Sequence, residues 1–526
     1  MKKYFFLAFA ALGIAACAEK GLDNGPEHKG ELEQSYVAIT LAAGDMTTKA
    51  DDGSYDKGLD AERAVNSAYV FFFKDGAAFP VSFDASTSTT TNTGGCNYLP
   101  IAHDGNGENM NNVSDVKDAV LVLQNYKGEY PNQIVAVLNW QPTETSYTLA
   151  ALQAEVSALG NDTAGYVMSN AVYADNHGQT VDAVTVSLNN IAKNEADALA
   201  NPVTIYVERV AAKVVFTAAS NGKFAVEKEI DGQQVYALIK GFELYNDYQQ
   251  SYLIKRINPS WTDLGFNWND ANWYRSYWAE SLTDAFTENT FEWDTNNTPI
   301  DGYVYCGENT RAATVNADVR TKVIVKAQLV DDTDQNNPIE VVNWYGKDYV
   351  GKSSLLAVVA NTLKNTYFTS ADGASFTGAV PADIETEGNP VTADNAYQVF
   401  FKLSDTGAAK TWYKYEGGKY NAISAADFNT ILADVQPALI YTNGMTYYTL
   451  DIKHLGAPGK TGEYGVVRNH VYKVNITDIT GYGTPVYEGT TDFVTPEKPE
   501  DVMSFVSAQI NILSWRLVEN DYTLGN

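Results

Sequence analysis

The chain has 526 residues and a formal net charge of −29 at pH 7, from 65 acidic and 36 basic residues. So acidic a protein is unlike nucleic-acid binders, because phosphate contacts need a positive surface. Only 19% of the residues are charged, whereas Tyr numbers 34 and Gly 39, a composition that favours strands and turns. The length allows roughly two to four domains. We therefore expect a mainly β protein with two large domains.

The N-terminus has the pattern of a bacterial export signal. Two lysines precede an apolar run that ends at Cys17 and is too short to cross a bilayer as a helix. Small residues stand immediately before this cysteine, as in a lipobox, so we expect residues 1–17 to be removed as a signal and Cys17 to be lipidated. An ordinary signal peptide that happens to contain a cysteine is the alternative. Residues 18–34 are polar and suit a tether.

The first predicted strand covers residues 36–41, where Val37, Ile39 and Leu41 alternate with other residues and share one face. The polar segment that follows is rich in turn formers and should be accessible to a protease. Its basic residue is Lys49, so we expect cleavage between Lys49 and Ala50. Arg63, further along, is the second candidate site.

Apolar runs predict a series of further strands, and few helices. The strands are expected at 68–73, 119–123, 134–140, 203–216, 235–244, 322–330, 398–403, 446–452 and 466–476. Only residues 149–159 and 191–199 are predicted to be helical. Alternation breaks at Arg209, which indicates a domain boundary nearby, and the wider strand spacing beyond it predicts long insertions in the second domain.

One insertion, at 261–293, is unusually aromatic and contains Trp268 and Trp278 among seven Trp and Tyr residues. Exposed rings of this kind can stack on sugars or anchor a protein partner. The alternative, which the size of the insertion favours, is that the rings pack this long loop onto its own domain.

The sequence provides no support for an enzyme. The five histidines show no metal-ligand spacing, and neither a phosphate-binding glycine loop nor a nucleophile elbow is present. The acidic run at 331–337 lacks the glycine and terminal glutamate of a calcium loop, so a solvated hairpin loop is expected there. Cys96 and Cys306 are too few for a disulfide framework, and we expect them not to pair. No cofactor is predicted.

The C-terminus carries an apolar strand on a tether. A Pro- and charge-rich spacer at 495–501 precedes an alternating run with one apolar face. The members of that face are Val506, Ala508, Ile510 and Ile512. The apolar residues then change parity at Leu513 and Trp515, as in a strand that bends and offers its second half to another surface. Closing a sheet within its own domain is the simplest role for this strand.

The two ends together suggest a different role. Cleavage after Lys49 would remove the strand at 36–41 and leave a hydrophobic groove with unpaired backbone groups. A tethered strand from another copy could fill that groove by strand addition. Because such a head-to-tail contact does not close, it would build a filament.

Several sequence blocks resemble the major fimbrillins of the short, minor type of fimbria in Porphyromonas and Bacteroides relatives, which build type V pili. The blocks are the lipobox, the strand with Lys49, and residues 207–213, 249–256, 466–472 and 508–515. The resemblance implies two transthyretin-like β-sandwich domains with a few short helices in loops. It also implies lipoprotein export, removal of the first strand by a trypsin-like protease, and polymerisation through the C-terminal strands.

On this basis the chain divides into five parts. They are the signal at 1–17, a propeptide at 18–49, an N-terminal sandwich at 50–208, a C-terminal sandwich at 209–494, and a linker with donor strands at 495–526. We expect a shaft subunit whose partners are copies of itself, anchor and tip pilins, the maturation protease and a host or bacterial surface ligand. The precursor would attach transiently to the outer membrane before the fimbria forms outside the cell. The alternative is a monomeric surface lipoprotein that binds carbohydrate through the aromatic insertion.

Overall fold

The computed structural model describes most of the chain between residues 34 and 524. The described residues are 34–42, 55–56, 58–81, 96–100, 117–124, 129–174, 179–192, 197, 200–230, 232–269, 276–283, 293, 298–311, 319–331, 337–388, 398–486 and 515–524. Strands dominate them and helices are short, so the predicted mainly β class is confirmed. Among the helices of this described part, none is long and apolar enough to span a membrane.

The first half forms a ten-stranded sheet, here called the N-terminal sheet. Its strands are Gln34–Ala42, Ala68–Lys74, Ala77–Ala78, Tyr98–Pro100, Lys117–Gln124, Gln133–Leu138, Met168–Asn170, Val184–Thr185, Ile191–Ala192 and Val203–Arg209. In the strand from Ala68, Val70 and Phe72 enter one core while Phe71 and Phe73 enter another. Burial on both faces explains why this strand is an unbroken apolar run rather than an alternating one.

The second half forms a β-sandwich, here called the C-terminal sandwich. Its first sheet contains, in spatial order, Tyr55–Asp56, Trp515–Leu524, His470–Ile479, Ala212–Ala218 and Tyr303–Cys306. Its second sheet contains Lys223–Ile230, Gln233–Tyr245, Lys322–Val330, Met445–Asp451 and Thr484–Pro485. The sheets share one core, in which the rings of Phe216 and Phe242 stack 4.8 Å apart.

A compact unit of residues 339–441, here called the inserted module, lies between two neighbouring strands of the second sheet. One of its sheets contains Lys347–Val350, Val341–Trp344, Ala438–Tyr441, Gln398–Leu403 and Ile384–Gly388, and the other Thr377–Gly378, Tyr367–Thr369, Trp412–Glu416 and Lys419–Ile423. Its helices are Gly351–Leu363, Asp405–Ala408 and Ala425–Ala433. These elements enclose a separate core. This unit confirms the expected long insertion.

The remaining elements are short. They are the helices Asp60–Arg63 and Leu149–Ala154, the 3-10 turns Leu188–Asn190, Ala219–Gly222, Pro381–Asp383 and Thr442–Gly444, and the paired strands Gly160–Asn161 with Gly165–Tyr166, Tyr173–Ala174 with Thr180–Val181, and Val156–Ala158 with Gln250–Tyr252. The last pair joins the two halves of the chain.

The helix predictions need correction. The helix predicted at 149–159 ends at Ala154, because Val156–Ala158 is recruited as a strand by Gln250–Tyr252. The helix predicted at 191–199 is wrong at its start, because Ile191–Ala192 pairs with the N-terminal strand. The helices of the inserted module were not predicted at all. The strand predicted at 203–216 is two strands, since one ends at Arg209 and the next begins at Ala212.

Candidate functional site

The N-terminal strand, Gln34–Ala42, has backbone partners on both edges. One edge pairs antiparallel with Lys117–Gln124 along nearly its whole length, from Gln34 opposite Gln124 to Leu41 opposite Lys117. The other edge pairs first with Ile191–Ala192 and then, in parallel, with Val203–Tyr206. The strand that contains Val37, Ile39 and Leu41 therefore lies inside the sheet.

Because the strand is paired on both edges, its loss would disrupt the sheet on both sides. In the order of the sheet it lies between Lys117–Gln124 on one side and the strands at 191–192 and 203–209 on the other. Its removal would leave backbone N–H and C=O groups unpaired on both sides of a gap, and such groups readily pair with another strand. Lys49 and Ala50, the predicted cleavage site, and Cys17, the predicted lipidation site, lie outside the described residues.

Arg63, the second candidate cleavage site, lies in a folded segment. It ends the helix Asp60–Arg63, forms an ion pair with Asp60, and keeps only 16% of its side chain exposed. The next amide, of Ala64, donates to the carbonyl of Ala61. A protease needs an accessible, locally unfolded chain, and these contacts oppose one at Arg63.

The C-terminal strand, Trp515–Leu524, pairs in parallel with His470–Ile479 of its own sandwich. On its other edge, Tyr55–Asp56 covers only the first two residues, Trp515 and Arg516. Leu524 at the far end is fully buried in the core. Of the predicted donor residues, Trp515 begins this strand, whereas Val506, Ala508, Ile510, Ile512 and Leu513 lie outside the described residues.

The sequence blocks at 207–213, 249–256 and 466–472 meet where the two halves of the chain join. Lys255 Nζ donates to Glu208 Oε2 at 2.9 Å, and both side chains are almost completely buried. Arg468 pairs with Glu308 at 2.6 Å and also donates to the carbonyl oxygens of Tyr252 and Leu253. The blocks that resemble fimbrillins therefore form a buried polar contact between the two halves of the chain, here called the junction.

Burial shifts the pKa values of Glu208 and Lys255, the ion pair at the centre of the junction. Desolvation raises the pKa of Glu208 and lowers the pKa of Lys255, because both charged forms lose hydration that their mutual attraction only partly replaces. A buried pair of this kind contributes little net stability but strongly disfavours arrangements that separate its members. The junction thus favours one relative position of the two halves.

Glu62 links the segment after the predicted cleavage site to the C-terminal sandwich. Its carboxylate accepts hydrogen bonds from Lys213 Nζ at 2.6 Å, the Tyr305 hydroxyl at 2.5 Å and the backbone N–H of Leu59 at 2.8 Å. Arg209 Nε donates to the Glu62 carbonyl at 2.7 Å. Burial alone would raise the pKa of Glu62, but these hydrogen bonds and the charge of Lys213 outweigh it and hold the pKa below its usual value.

The aromatic insertion packs against its own domain wherever the structure describes it. Trp268 and Trp278 are buried together in one cluster, and Tyr277 is also buried. His454 lies beside them and contacts the Tyr277 carbonyl through Nε2 at 2.5 Å. Trp293 donates to the Thr446 carbonyl at 3.2 Å. The described rings therefore serve packing rather than an exposed binding surface.

Cys96 and Cys306 are both buried free cysteines, and burial raises the pKa of the Cys306 thiol well above its usual value. Among the described residues, no group of three or more His, Cys, Asp or Glu side chains is placed to hold a metal ion.

Comparison with known proteins gives one family match. Residues 439–521 match the family described as major fimbrial subunit protein type IV, fimbrillin, C-terminal. This span contains strands from both sheets of the C-terminal sandwich and most of the C-terminal strand. A search of curated proteins finds no significant sequence match.

Several solved structures are similar to the chain at low overall agreement. A fimbrilin from Porphyromonas gingivalis has 12% identity, with 93% of this chain and 97% of that chain covered and a TM-score of 0.37. A tip fimbrial protein from the same organism has 12% identity, coverages of 94% and 99%, and a TM-score of 0.30. A fimbrial assembly protein from Parabacteroides distasonis has 13% identity, coverages of 74% and 98%, and a TM-score of 0.29. The family match supports the resemblance to fimbrillins, and the matched residues include the sequence blocks at 466–472 and 508–515.

Proposed function

We propose that the protein is the shaft subunit of a surface fimbria that polymerises by strand exchange. The observation that carries the proposal is the position of the N-terminal strand, paired on both edges inside its sheet and followed directly by the basic site Lys49. Removal of this strand creates an acceptor groove, and the groove is filled by the C-terminal segment of a neighbouring copy.

Maturation of the precursor is the second part of the proposal. The precursor is exported as a lipoprotein through Cys17, and a trypsin-like protease cuts between Lys49 and Ala50. Arg63 is the poorer site, because its segment is held in the junction through Glu62. The mature chain then keeps Tyr55–Asp56 against the start of the C-terminal strand.

The donor is the segment just before Trp515. Val506, Ala508, Ile510 and Ile512 occupy the groove, while the strand from Trp515 onward stays in its own sheet as the base of the donor arm. Burial of these four side chains and the new ladder hydrogen bonds would contribute on the order of 10 kcal/mol before ordering costs. The loss of translational and rotational freedom on association costs a comparable amount, about 4–15 kcal/mol, so the stability of the contact depends on burial of all four side chains.

The partners are copies of the chain in a head-to-tail filament, with anchor and tip pilins at its ends and a host or bacterial surface ligand. We assign it no catalytic role. The alternative of a monomeric lipoprotein that binds carbohydrate through the insertion at 261–293 is disfavoured, because Trp268 and Trp278 are buried.

Limited trypsin digestion of the purified precursor tests the proposal. Wild type should lose residues 1–49 by intact mass and then form an SDS-resistant ladder. The Lys49→Ala variant should remain uncut at this position and monomeric, while the control Lys74→Ala, at a partly exposed lysine on the sheet, should behave as wild type. A cleaved wild type that stays monomeric, or a new N-terminus at Ala64, would contradict it.

A further inference from the structure

The inserted module is not needed to complete the C-terminal sandwich. The strands on either side of it, Lys322–Val330 and Met445–Asp451, pair directly with each other, with Gln328 opposite Met445. The module leaves and re-enters the sandwich at neighbouring points and has its own core around Trp412 and Phe428. Its surface is therefore available for a task separate from assembly.

The four-stranded sheet of this module buries only one face. Trp412 is fully buried and Tyr367 stacks on Phe428, so residues of this parity face the core. The register places Phe368 opposite Tyr413, and Tyr415 opposite Tyr420, on the other face. Successive strand residues point to opposite sides, which places these four rings on the outer side together.

The outer side is a continuous group of rings, here called the aromatic face. Phe376, from the loop between Tyr367–Thr369 and Thr377–Gly378, stacks on Tyr420 with ring centroids 3.7 Å apart and ring planes within 3° of parallel. Tyr415 and Phe368 contact the same tyrosine at 4.8 and 5.0 Å, and Tyr413 contacts Phe376 at 5.1 Å. Tyr415 is 43% and Tyr420 39% exposed, values that are high for such large rings.

The loop that supplies Phe376 is fixed in place. The Asp372 carboxylate accepts hydrogen bonds from the backbone N–H groups of Ala374 and Ser375 at 2.8 and 2.7 Å, and these bonds lower its pKa. Ser370 Oγ accepts from the N–H of Gly373 at 2.9 Å. The rings are therefore held in one arrangement before any ligand arrives, which reduces the entropic cost of binding.

The size and polarity of the aromatic face identify the class of ligand. A stable protein interface buries about 800 Å² per partner. Tyr415 and Tyr420 are about two-fifths exposed, and the other three rings of the face are less exposed. Together the five rings offer only a few hundred Å² of accessible surface. The loop beside Phe376 is polar and contains Asp372 and Ser375. Exposed tyrosine rings beside a polar loop suit pyranose rings, whose C–H faces stack on the rings while their hydroxyls reach the polar groups.

We propose that the aromatic face of the inserted module binds a neutral oligosaccharide. A net charge of −29 opposes the approach of an acidic glycan, which favours neutral sugars. Tyr415 and Tyr420 provide the stacking surface and the loop at 370–376 fixes one side of it. This site differs from the insertion at 261–293, and it does not depend on the proposed filament assembly.

Isothermal titration of the full chain with maltohexaose, cellohexaose and chitohexaose tests the site, and a heparin hexasaccharide serves as the acidic comparison. Wild type should bind at least one neutral probe with a Kd on the order of 0.1–1 mM. The Tyr415→Ala/Tyr420→Ala variant should bind that probe at least tenfold more weakly. The Tyr415→Phe/Tyr420→Phe variant should retain binding, because it keeps the rings and the fold.

Tyr345→Ala is the matched control, because this tyrosine is 67% exposed in the same module but lies outside the aromatic face. It should bind as wild type does. The proposal is overturned if no neutral probe binds, if the double alanine variant binds normally, or if heparin is preferred. It is also overturned if the chain dimerises through this face, shown by a monomer–dimer equilibrium that the double alanine variant abolishes.

Discussion

At the scale of single residues, the notable feature is how many charges this β protein buries at the junction. Glu62, Glu208, Lys255, Glu308 and Arg468 are each nearly or fully inaccessible to solvent. Removal of one member of a buried ion pair typically costs about 3–5 kcal/mol, because its partner is left charged and desolvated. Such groups penalise any wrong arrangement of the halves more than they stabilise the right one.

Glu62 gives a pH-dependent prediction. Because the pKa of Glu62 is lowered in the folded state, its contribution to stability is present above the unfolded pKa and is lost as pH falls through the folded value. Thermal unfolding midpoints of wild type and Glu62→Gln should therefore differ most near pH 7. The difference should shrink as pH falls from 7 through the unfolded value of about 4.3 and below it. Glu144→Gln, at an exposed position, should match wild type throughout. A constant difference between wild type and Glu62→Gln across this range would show that the carboxylate charge is irrelevant.

At the scale of elements, the C-terminal strand is held in place by contacts with parts of the chain that precede it. Its backbone pairs with His470–Ile479 from Arg516 to Leu524, and Leu524 anchors its far end in the core. Within the part of the chain that the structure describes, its outer edge pairs only with Tyr55–Asp56, at Trp515 and Arg516. The strand is therefore a fixed part of the C-terminal sandwich.

Leu524→Ala tests this anchoring. Truncation of a fully buried leucine typically costs about 2–5 kcal/mol through lost burial and the cavity left behind. We expect a loss in this range in urea unfolding followed by far-UV circular dichroism. Leu188→Ala, at a leucine that is 68% exposed, should change stability by less than about 0.5 kcal/mol. Equal effects of the two substitutions would mean that the C-terminal strand is not docked in solution.

Sequence patterns predicted elements whose signal is local and missed those fixed by distant contacts. The run from Ala68 was recognisable because both its faces are apolar. The helix Gly351–Leu363 was missed although Leu355, Val359 and Leu363 recur at intervals of four residues, a signal that was available. The pairing of Glu62 with Lys213, 151 residues apart, has no local signature.

At the scale of the whole molecule, the proposed assembly gives the two ends of the chain complementary roles. In this proposal the acceptor groove lies in the N-terminal sheet, between Lys117–Gln124 and Val203–Arg209, and the donor is the segment before Trp515. Because donor and acceptor are different surfaces, their contact does not close and copies can add without limit. The junction fixes the two surfaces relative to each other, and the inserted module remains available for ligand.

The most direct test of this account mixes two subunits that each lack one function. A trypsin-cleaved chain with Ile510→Asp and Ile512→Asp keeps the C-terminal strand in its own sheet and can only accept, and an uncleaved Lys49→Ala chain can only donate. Native mass spectrometry should show each alone as a monomer and the mixture as a one-to-one complex that resists SDS and does not grow further. If the mixture yields no complex, or if either subunit polymerises alone, strand exchange between these two ends is not how the protein assembles.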